Sequence, residues 1–292
     1  KIDWYSIIGN KVSKRNDWME VHNYINAMNE AIKMLEELPF SSRLIRNVHK
    51  VLLSGVRGEH KQPGEFRKSQ NWIGGASIND AIFVPPVHTS IPDLMNDIDE
   101  FVHNDKLLIP ELLKIALIHY QFETIHPFLD GNGRTGRLMI TLYLVSKGIL
   151  KRPILYLSDY LEKHRNSYYT NLTQARTEND ITSWFRFFLT GVIETADNGV
   201  KTFENILCLQ KEYEEKIKSL GSRSANALKV VTELYKRPIA SANWIAEIAD
   251  ISTASAYKLI RNLEEVGILS EVTGSKRGRI YILKKYVDLF NS

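Results

Sequence analysis

The chain has little of several features that define other protein classes. A single cysteine, Cys208, among 292 residues excludes an internal disulfide framework and is typical of a reducing compartment. No uninterrupted apolar run approaches the roughly 20 residues that a membrane-spanning helix needs. The first residues, Lys1–Trp4, lack the apolar core of a signal peptide. We therefore expect a cytoplasmic protein with no membrane partner.

Charge of one sign is also scarce, except near the end of the sequence. The net charge is +4, and residues 222–292 hold eleven Lys and Arg against seven Asp and Glu, while the rest of the chain is balanced. An excess confined to the last quarter indicates a separate unit there, which could face an acidic partner.

Helical periodicity dominates the chain before this basic region and predicts an all-α bundle. Helices are predicted over residues 17–35, 41–53, 91–103, 110–123, 134–147, 161–172 and 182–193. The exception is the polar segment between Gly55 and Pro86. There Asn71–Ile73 and Ala81–Val84 flank a turn rich in Gly, Asn and Asp, which predicts a small β-hairpin.

The C-terminal pattern differs from the bundle. A charged helical connector over residues 198–221 precedes predicted helices at 225–235, 243–249 and 253–266 and two β-type runs at 268–272 and 279–283. Three helices followed by a hairpin predict a winged helix-turn-helix domain at 222–292. Its basic residues leave two uses open, DNA phosphate contacts or protein contacts that include a homodimer. The predicted domains are thus 1–40, 41–197, 198–221 and 222–292.

The most informative stretch runs from His126 to Arg137 and reads His-Pro-Phe-Leu-Asp-Gly-Asn-Gly-Arg-Thr-Gly-Arg. It lies between two predicted apolar helices, so its polar residues occupy a loop and the first turn of a helix. That turn offers unpaired N–H groups and a positive dipole end, where phosphate is the usual ligand. Arg134 and Arg137 add guanidiniums on one helix face. Asp130 beside an anion site implies an intervening cation, for which Mg²⁺ is suited, and His126 can act as a base.

Two other sites fit this stretch poorly. A P-loop needs Lys-Ser/Thr where Arg137-Leu138 stands, and it follows a strand, whereas a helix is predicted before this loop. His119 and His126 lie seven residues apart without a His-Glu-x-x-His helix, which disfavours zinc.

The stretch from His126 to Arg137 resembles the signature of the Fic family, His-Pro-Phe-x-(Asp/Glu)-Gly-Asn-Gly-Arg-x-x-Arg, at every defined position. The resemblance extends from about Ser41 to Phe188. It implies a Fic-type helical bundle and transfer of a nucleotide monophosphate, usually AMP from Mg-ATP, to a Ser, Thr or Tyr hydroxyl of a target protein or of the chain itself, with release of pyrophosphate. His126 would be the catalytic base and Asp130 the Mg²⁺ ligand. The implied phosphate-binding residues are Gly131, Asn132, Gly133, Arg134 and Arg137.

The predicted hairpin resembles the flap of that family. An extended edge there can pair with the main chain of a target and present its hydroxyl to His126. The expected target-binding residues are Trp72, Ile73, Ile82 and Phe83. The alternative is an ordinary hairpin that packs Trp72 and Phe83 into the core.

The N-terminus departs from the family pattern. Many Fic proteins carry an inhibitory helix whose glutamate pairs with the second arginine of the motif. Here Tyr5–Asn10 resembles the end of that pattern, but Ile8 occupies the glutamate position. A branched apolar residue cannot pair with Arg137, so we expect weakened self-inhibition.

Two alternatives to AMP transfer stay open. The same site could move UMP, phosphocholine or a γ-phosphate, because the motif specifies an anion grip and a base but not the donor. The chain could also be a DNA-binding regulator whose Fic-like core senses nucleotide.

Overall fold

The computed structural model describes residues 12–56, 58–275 and 277–290, with side chains from Met19 onward. The chain divides between Ala196 and Asp197 into two compact units, each with its own apolar core. Within the described residues, no helix has both the length and the apolar content needed to cross a membrane.

The first unit is mostly helical, as predicted. Its helices are α1 (Val12–Leu35), α2 (Ser42–Leu52), α3 (Ile91–His103), α4 (Glu111–Ile125), α5 (Asn132–Ser146), α6 (Leu157–Lys163), α7 (Arg165–Thr177) and the first part of α8 (Ile181–Lys218). Two predicted bounds are wrong. The single helix expected at 161–172 is divided at His164, and one continuous α8 replaces the separate helices expected at 182–193 and 198–221.

Helices α4 and α5 form the centre of this unit. Five side chains of α4 and six of α5 are apolar or aromatic and no more than 1% exposed, namely Ile115, Ala116, Ile118, Phe122, Ile125, Leu138, Met139, Ile140, Leu142, Tyr143 and Leu144. A helix that is apolar on most sides belongs in the interior. The short connection between these two buried helices is therefore anchored at both ends.

The predicted β-hairpin is the main departure in this unit. Within the described residues the pairing is a single antiparallel bridge between Ile73 and Phe83, with Ile73 N–H donating to Phe83 O at 2.9 Å. Gly74 and Gly75 both have positive φ, and a 3₁₀ turn follows at Ile78–Asp80. These bends prevent a longer ladder of hydrogen bonds. Residues 69–86 therefore form a loop whose backbone pairs across itself only at the Ile73–Phe83 bridge, and we call it the pinned loop.

The second unit contains the rest of α8, then α9 (Ser224–Leu234), α10 (Ala242–Ala249), α11 (Thr253–Glu265) and α12 (Lys284–Asp288). Its sheet has three antiparallel strands in the order β1 (Ile239–Ser241), β3 (Ile280–Ile282), β2 (Ser270–Glu271). The sequence predicted β2 and β3, somewhat longer than they are, but missed β1 and α12. The winged helix itself and the domain boundaries remain predictions.

Candidate active site

The loop between α4 and α5 is shaped by two residues with left-handed backbones. His126 follows the last turn of α4 at φ 49°, and Gly131 precedes α5 at φ 77°. A non-glycine residue in this region costs about 1 kcal/mol or more, so the surrounding structure must hold it there. The His126 N–H donates to Phe122 O at 2.9 Å, which closes the helix end.

Asn132 holds the loop closed from inside. Its Oδ1 accepts the Phe128 N–H and its Nδ2 donates to Phe128 O, both at 2.8 Å, and the residue is 2% exposed. One N–H of Nδ2 and one lone pair of Oδ1 are left, so the contact of this side chain with phosphate stays a prediction. The opening turn of α5 also offers an anion the backbone N–H groups of Asn132 and Gly133.

His49 of α2 braces the same loop from outside. Its Nδ1 accepts the Gly64 N–H, so the proton is on Nε2, which donates to Asp130 O; both distances are 2.8 Å. The ring stacks on Phe128 with centroids 3.7 Å apart. Burial lowers the pKa of His49 to about 4, which keeps this bonding pattern intact at neutral pH. Sequence reasoning missed His49, whose only signal was a position on the apolar face of α2.

Arg67 braces the loop from a third side. Its side chain is buried, with the residue 2% exposed, and Nε donates to His126 O at 3.0 Å. Its backbone N–H donates to Pro127 O at 2.8 Å. Its two terminal nitrogens donate to Ser69 O at 3.0 Å and Pro86 O at 2.5 Å. One buried guanidinium thus links the backbone of the predicted base to both ends of the pinned loop, a role that sequence reasoning did not assign.

The His126 side chain is 20% exposed, which gives an incoming hydroxyl access to the ring. Nδ1 itself is buried and makes no hydrogen bond to a described residue, so Nε2 is the nitrogen left for that hydroxyl. Burial lowers the pKa of His126 to about 4, and the backbone of Glu123 opposes this effect in part. The imidazole is therefore neutral near pH 7 and able to accept a proton.

The two arginines of the motif have different surroundings. Nη1 of Arg134 lies 3.3 Å from Oε2 of Glu20 on α1, and Nη2 lies 4.0 Å from Oδ1 of Asp130. Arg137 forms no ion pair within 4.0 Å among the residues that the structure describes. A Cβ on Gly133 would lie 3.2 Å from Nη1 of Arg137, so the glycine leaves space for that guanidinium.

Asp130 lies at the mouth of the loop, with a side chain 38% exposed. Its Oδ1 accepts the Gly131 N–H at 2.6 Å. Across the described part of the chain, no group of three His, Cys, Asp or Glu side chains is arranged to hold a metal. One carboxylate fits Mg²⁺ only when the nucleotide phosphates supply further oxygens, which is a usual way for proteins to bind this ion.

The four predicted flap residues lie together around the single bridge. Trp72 is 42% and Ile82 79% exposed, so the alternative that packed Trp72 into the core is wrong. Ile73 forms the bridge to Phe83, and the guanidinium carbon of Arg176 lies 3.8 Å from the centroid of the Phe83 ring. The inhibitory position, Ile8, lies outside the described residues.

Part of the chain matches a known protein family. Residues 39–144 match the model of the Fic/DOC family. The chain is 29% identical over 199 residues to a protein adenylyltransferase Fic of Aedes aegypti, covering 66% of this chain and 37% of that protein. It is 26% identical over 242 residues to a protein adenylyltransferase Fic of Drosophila willistoni, covering 81% and 44%. The chain therefore spans less than half of the length of either relative.

A solved structure supports the fold. A Fic family protein from Desulfovibrio desulfuricans superposes with a TM-score of 0.57 at 21% identity, covering 94% of this chain and 76% of that one. At an identity this low, the similarity shows only that the fold is shared. The family match itself supports a Fic/DOC family domain that includes residues 39–144.

Proposed function

We propose that the protein is an adenylyltransferase that transfers AMP from Mg-ATP to a hydroxyl of a target protein or of itself. The observation that carries this proposal is a partly exposed His126 in the short loop that leads into the opening turn of α5, where unpaired backbone N–H groups suit an anion. The relatives named as protein adenylyltransferases support the same activity.

The side chains divide the reaction between them. His126 Nε2 takes the proton of the acceptor hydroxyl, whose oxygen then bonds to the α-phosphorus of ATP. The bond between that phosphorus and the bridging oxygen to the β-phosphate breaks, and pyrophosphate leaves. Backbone N–H groups in the opening turn of α5 face the phosphate, where donors aimed at developing charge contribute about 10²–10³ in rate each. Arg137, which has no ion-pair partner among the described residues, binds the outer phosphates.

Magnesium enters this proposal as part of the nucleotide complex. Asp130 is the carboxylate that would hold it, with phosphate oxygens as the other ligands. When bound, the ion neutralises negative charge on the leaving pyrophosphate.

The pinned loop around the Ile73–Phe83 bridge is the surface that we assign to the target. Its most exposed apolar side chain, Ile82, lies opposite the bend that Gly74 and Gly75 make in the backbone. A target segment could pair there by β-addition. The same loop connects through Arg67 to the backbone of His126.

Labelled ATP tests the proposal. Label from the α-position should appear on protein and fall by about 10²–10⁴ in rate in His126→Ala, the usual contribution of a general base. His60→Ala, at an exposed histidine, is the matched control and should keep the rate. Label only from the γ-position would indicate phosphorylation instead, and transfer from labelled UTP or CDP-choline would indicate another donor.

The second unit supports a further candidate, DNA binding by a winged helix. The consecutive helices α10 and α11 pack against each other, and the side chains of Tyr257, Lys258 and Arg261 are exposed on α11. We propose that α11 contacts DNA phosphates or bases. Duplex DNA should shift in a gel at low salt, with an affinity that falls as salt rises. Lys258→Gln together with Arg261→Gln should weaken it; unchanged binding would leave α11 without this role.

A further inference from the structure

Glu123 lies one turn before His126 in α4 and is 7% exposed. Its Oε2 is 3.9 Å from Nδ1 of His126. Both Nδ1 and the other carboxyl oxygen, Oε1, are buried and make no hydrogen bond to a described residue. The two side chains are therefore adjacent and could bond each other, and two of their buried atoms, Nδ1 and Oε1, have no hydrogen bond of ordinary length and angle to a described residue. Buried polar atoms of this kind are uncommon enough to need an explanation.

The neighbours of Glu123 leave it few other partners. His119 is nearby, but its two nitrogens are bonded to Gly136 O at 3.1 Å and to the Tyr168 hydroxyl at 2.9 Å. Gly136 has no side chain, and a Cβ there would lie 2.5 Å from Oε1 of Glu123. The glycine therefore provides the space that the carboxyl occupies.

Charged groups from several elements act on this pair. Arg137 and Arg176 oppose the effect of burial on Glu123. Arg67, Arg176 and Asp130 act on His126. Burial nevertheless raises the pKa of Glu123 to about 7, so the carboxyl changes charge near neutral pH. No ion pair within 4.0 Å joins Glu123 to an arginine among the described residues, and the nearest basic group in such a contact is His126.

We propose that Glu123 is a positioning residue that keeps the proton of His126 on Nδ1 and so leaves the lone pair of Nε2 for the acceptor hydroxyl. This inference rests on the proposed function. In the reaction the hydroxyl proton moves to Nε2, the proton on Nδ1 stays in place, and the carboxylate stabilises the imidazolium that forms. A carboxylate behind a catalytic histidine does the same work in serine hydrolases.

The 3.9 Å separation is longer than a hydrogen bond. Contacts of this kind are often long without substrate and shorten in the reacting complex. The backbone of Glu123 offers a competing account, because it also favours the protonated His126 ring and so raises its pKa. If the main chain alone held the proton on Nδ1, the charge of the side chain would be irrelevant to the tautomer.

Nitrogen-15 NMR of the histidine rings separates these accounts without any assay of transfer. In the wild-type protein above pH 8, Nδ1 of His126 should be protonated and Nε2 unprotonated. Glu123→Gln, which is nearly isosteric, should shift the tautomer toward protonated Nε2. Glu111→Gln, on the same helix but bonded to Tyr143, is the control and should leave the ring unchanged. A wild-type ring protonated on Nε2, or an unchanged tautomer in Glu123→Gln, would overturn the proposal.

Kinetics supply the second readout. Glu123→Gln should lower kcat by about 10² or more, at the lower end of a general base's contribution, with little change in KM for ATP. The wild type should show a rise of kcat as pH increases through about 7, and Glu123→Gln should remove it. Glu123→Asp should restore part of the rate. If the wild type transfers no nucleotide at all, the proposed function fails, yet the NMR experiment still decides the role of Glu123.

Discussion

Glu20 and Arg134 form an ion pair of 3.3 Å that joins α1 to the opening turn of α5. The carboxylate thus holds one of the two guanidiniums that we assign to the phosphates. A phosphate that uses Arg134 must compete with Glu20, while Arg137 has no such competitor among the described residues.

Removing the charge of Glu20 should therefore strengthen nucleotide binding. Partly exposed ion pairs contribute about 1 kcal/mol or less, so Glu20→Gln should lower the Kd for ATP by up to about fivefold. Glu30→Gln, an exposed change on the same helix, is the matched control. Calorimetric titration with ATP measures both. Weaker binding in Glu20→Gln would mean that Glu20 holds Arg134 in place for the phosphates and does not compete with them.

Stability without nucleotide or Mg²⁺ should fall as pH decreases from about 6.5 to 4.5. Burial lowers the pKa of His49, His119 and His126 from 6.5 to about 4, so these rings take up protons on unfolding in this range. Burial raises the pKa of Glu123 from 4.5 to about 7, so this group loses a proton on unfolding and opposes them. For each proton taken up in net on unfolding, the free energy of unfolding falls by about 1.4 kcal/mol with each unit by which the pH decreases.

Urea unfolding at several pH values measures this dependence. Glu123→Gln removes the opposing group and should make the loss toward low pH steeper, and Glu30→Gln should leave the slope as it is. A slope in Glu123→Gln no steeper than that of the wild type would show that this carboxyl does not titrate in the range stated.

Two glycines of the loop should respond differently to alanine. Gly131 has φ 77°, and a Cβ there would lie 3.2 Å from Leu53 and 3.3 Å from His49. Gly131→Ala should therefore lower the free energy of unfolding by about 1–2 kcal/mol. Gly133 lies in α5 without a positive φ, so Gly133→Ala should fold with little change in stability.

The Cβ of Gly133→Ala would instead meet Nη1 of Arg137 at 3.2 Å. Displacing that guanidinium should raise the Kd for ATP by roughly three- to tenfold, part of the strength of a charge-assisted hydrogen bond. Thermal unfolding and ATP titration of both variants check the contrast. Equal effects on folding would contradict the description of the loop.

The target surface can be tested at its most exposed apolar residue. Ile82→Asp should raise KM for a protein target at least several-fold while the Kd for ATP stays unchanged, because the added charge must be desolvated on contact. Leu108→Asp is the matched control, since Leu108 is 97% exposed in the connection between α3 and α4. Equal kinetics of the two variants would remove the pinned loop from target binding.

The sequence predicted the parts of this site that are local in the chain. Periodicity gave the two helices that flank the motif, and glycines gave the turn between them. It could not give His49 or Arg67, because each reaches the loop through contacts across 59 to 81 residues of sequence. It also could not show that the Asn132 side chain bonds its own loop, because such an amide looks the same in sequence as one that faces only a ligand.

The prediction of short strands from the sequence failed for another reason. The three residues of β1 follow Pro238 directly and are stabilised mainly by pairing with β3 far along the chain. The expected hairpin failed in the opposite direction, since positive φ at Gly74 and Gly75 turns the chain away before a second pair can form.

The bonding of Asn132 has a consequence for the ageing of the protein. An asparagine followed by glycine is the pair most prone to deamidate when the chain is free to let the side chain meet the next backbone nitrogen. Here both polar atoms of the Asn132 amide are hydrogen-bonded to the Phe128 backbone, so the folded loop holds the side chain away from the next backbone nitrogen and slows deamidation. Conversion to aspartate would replace the donor facing Phe128 O with an acceptor, and damage gained during a brief unfolding would then persist after refolding.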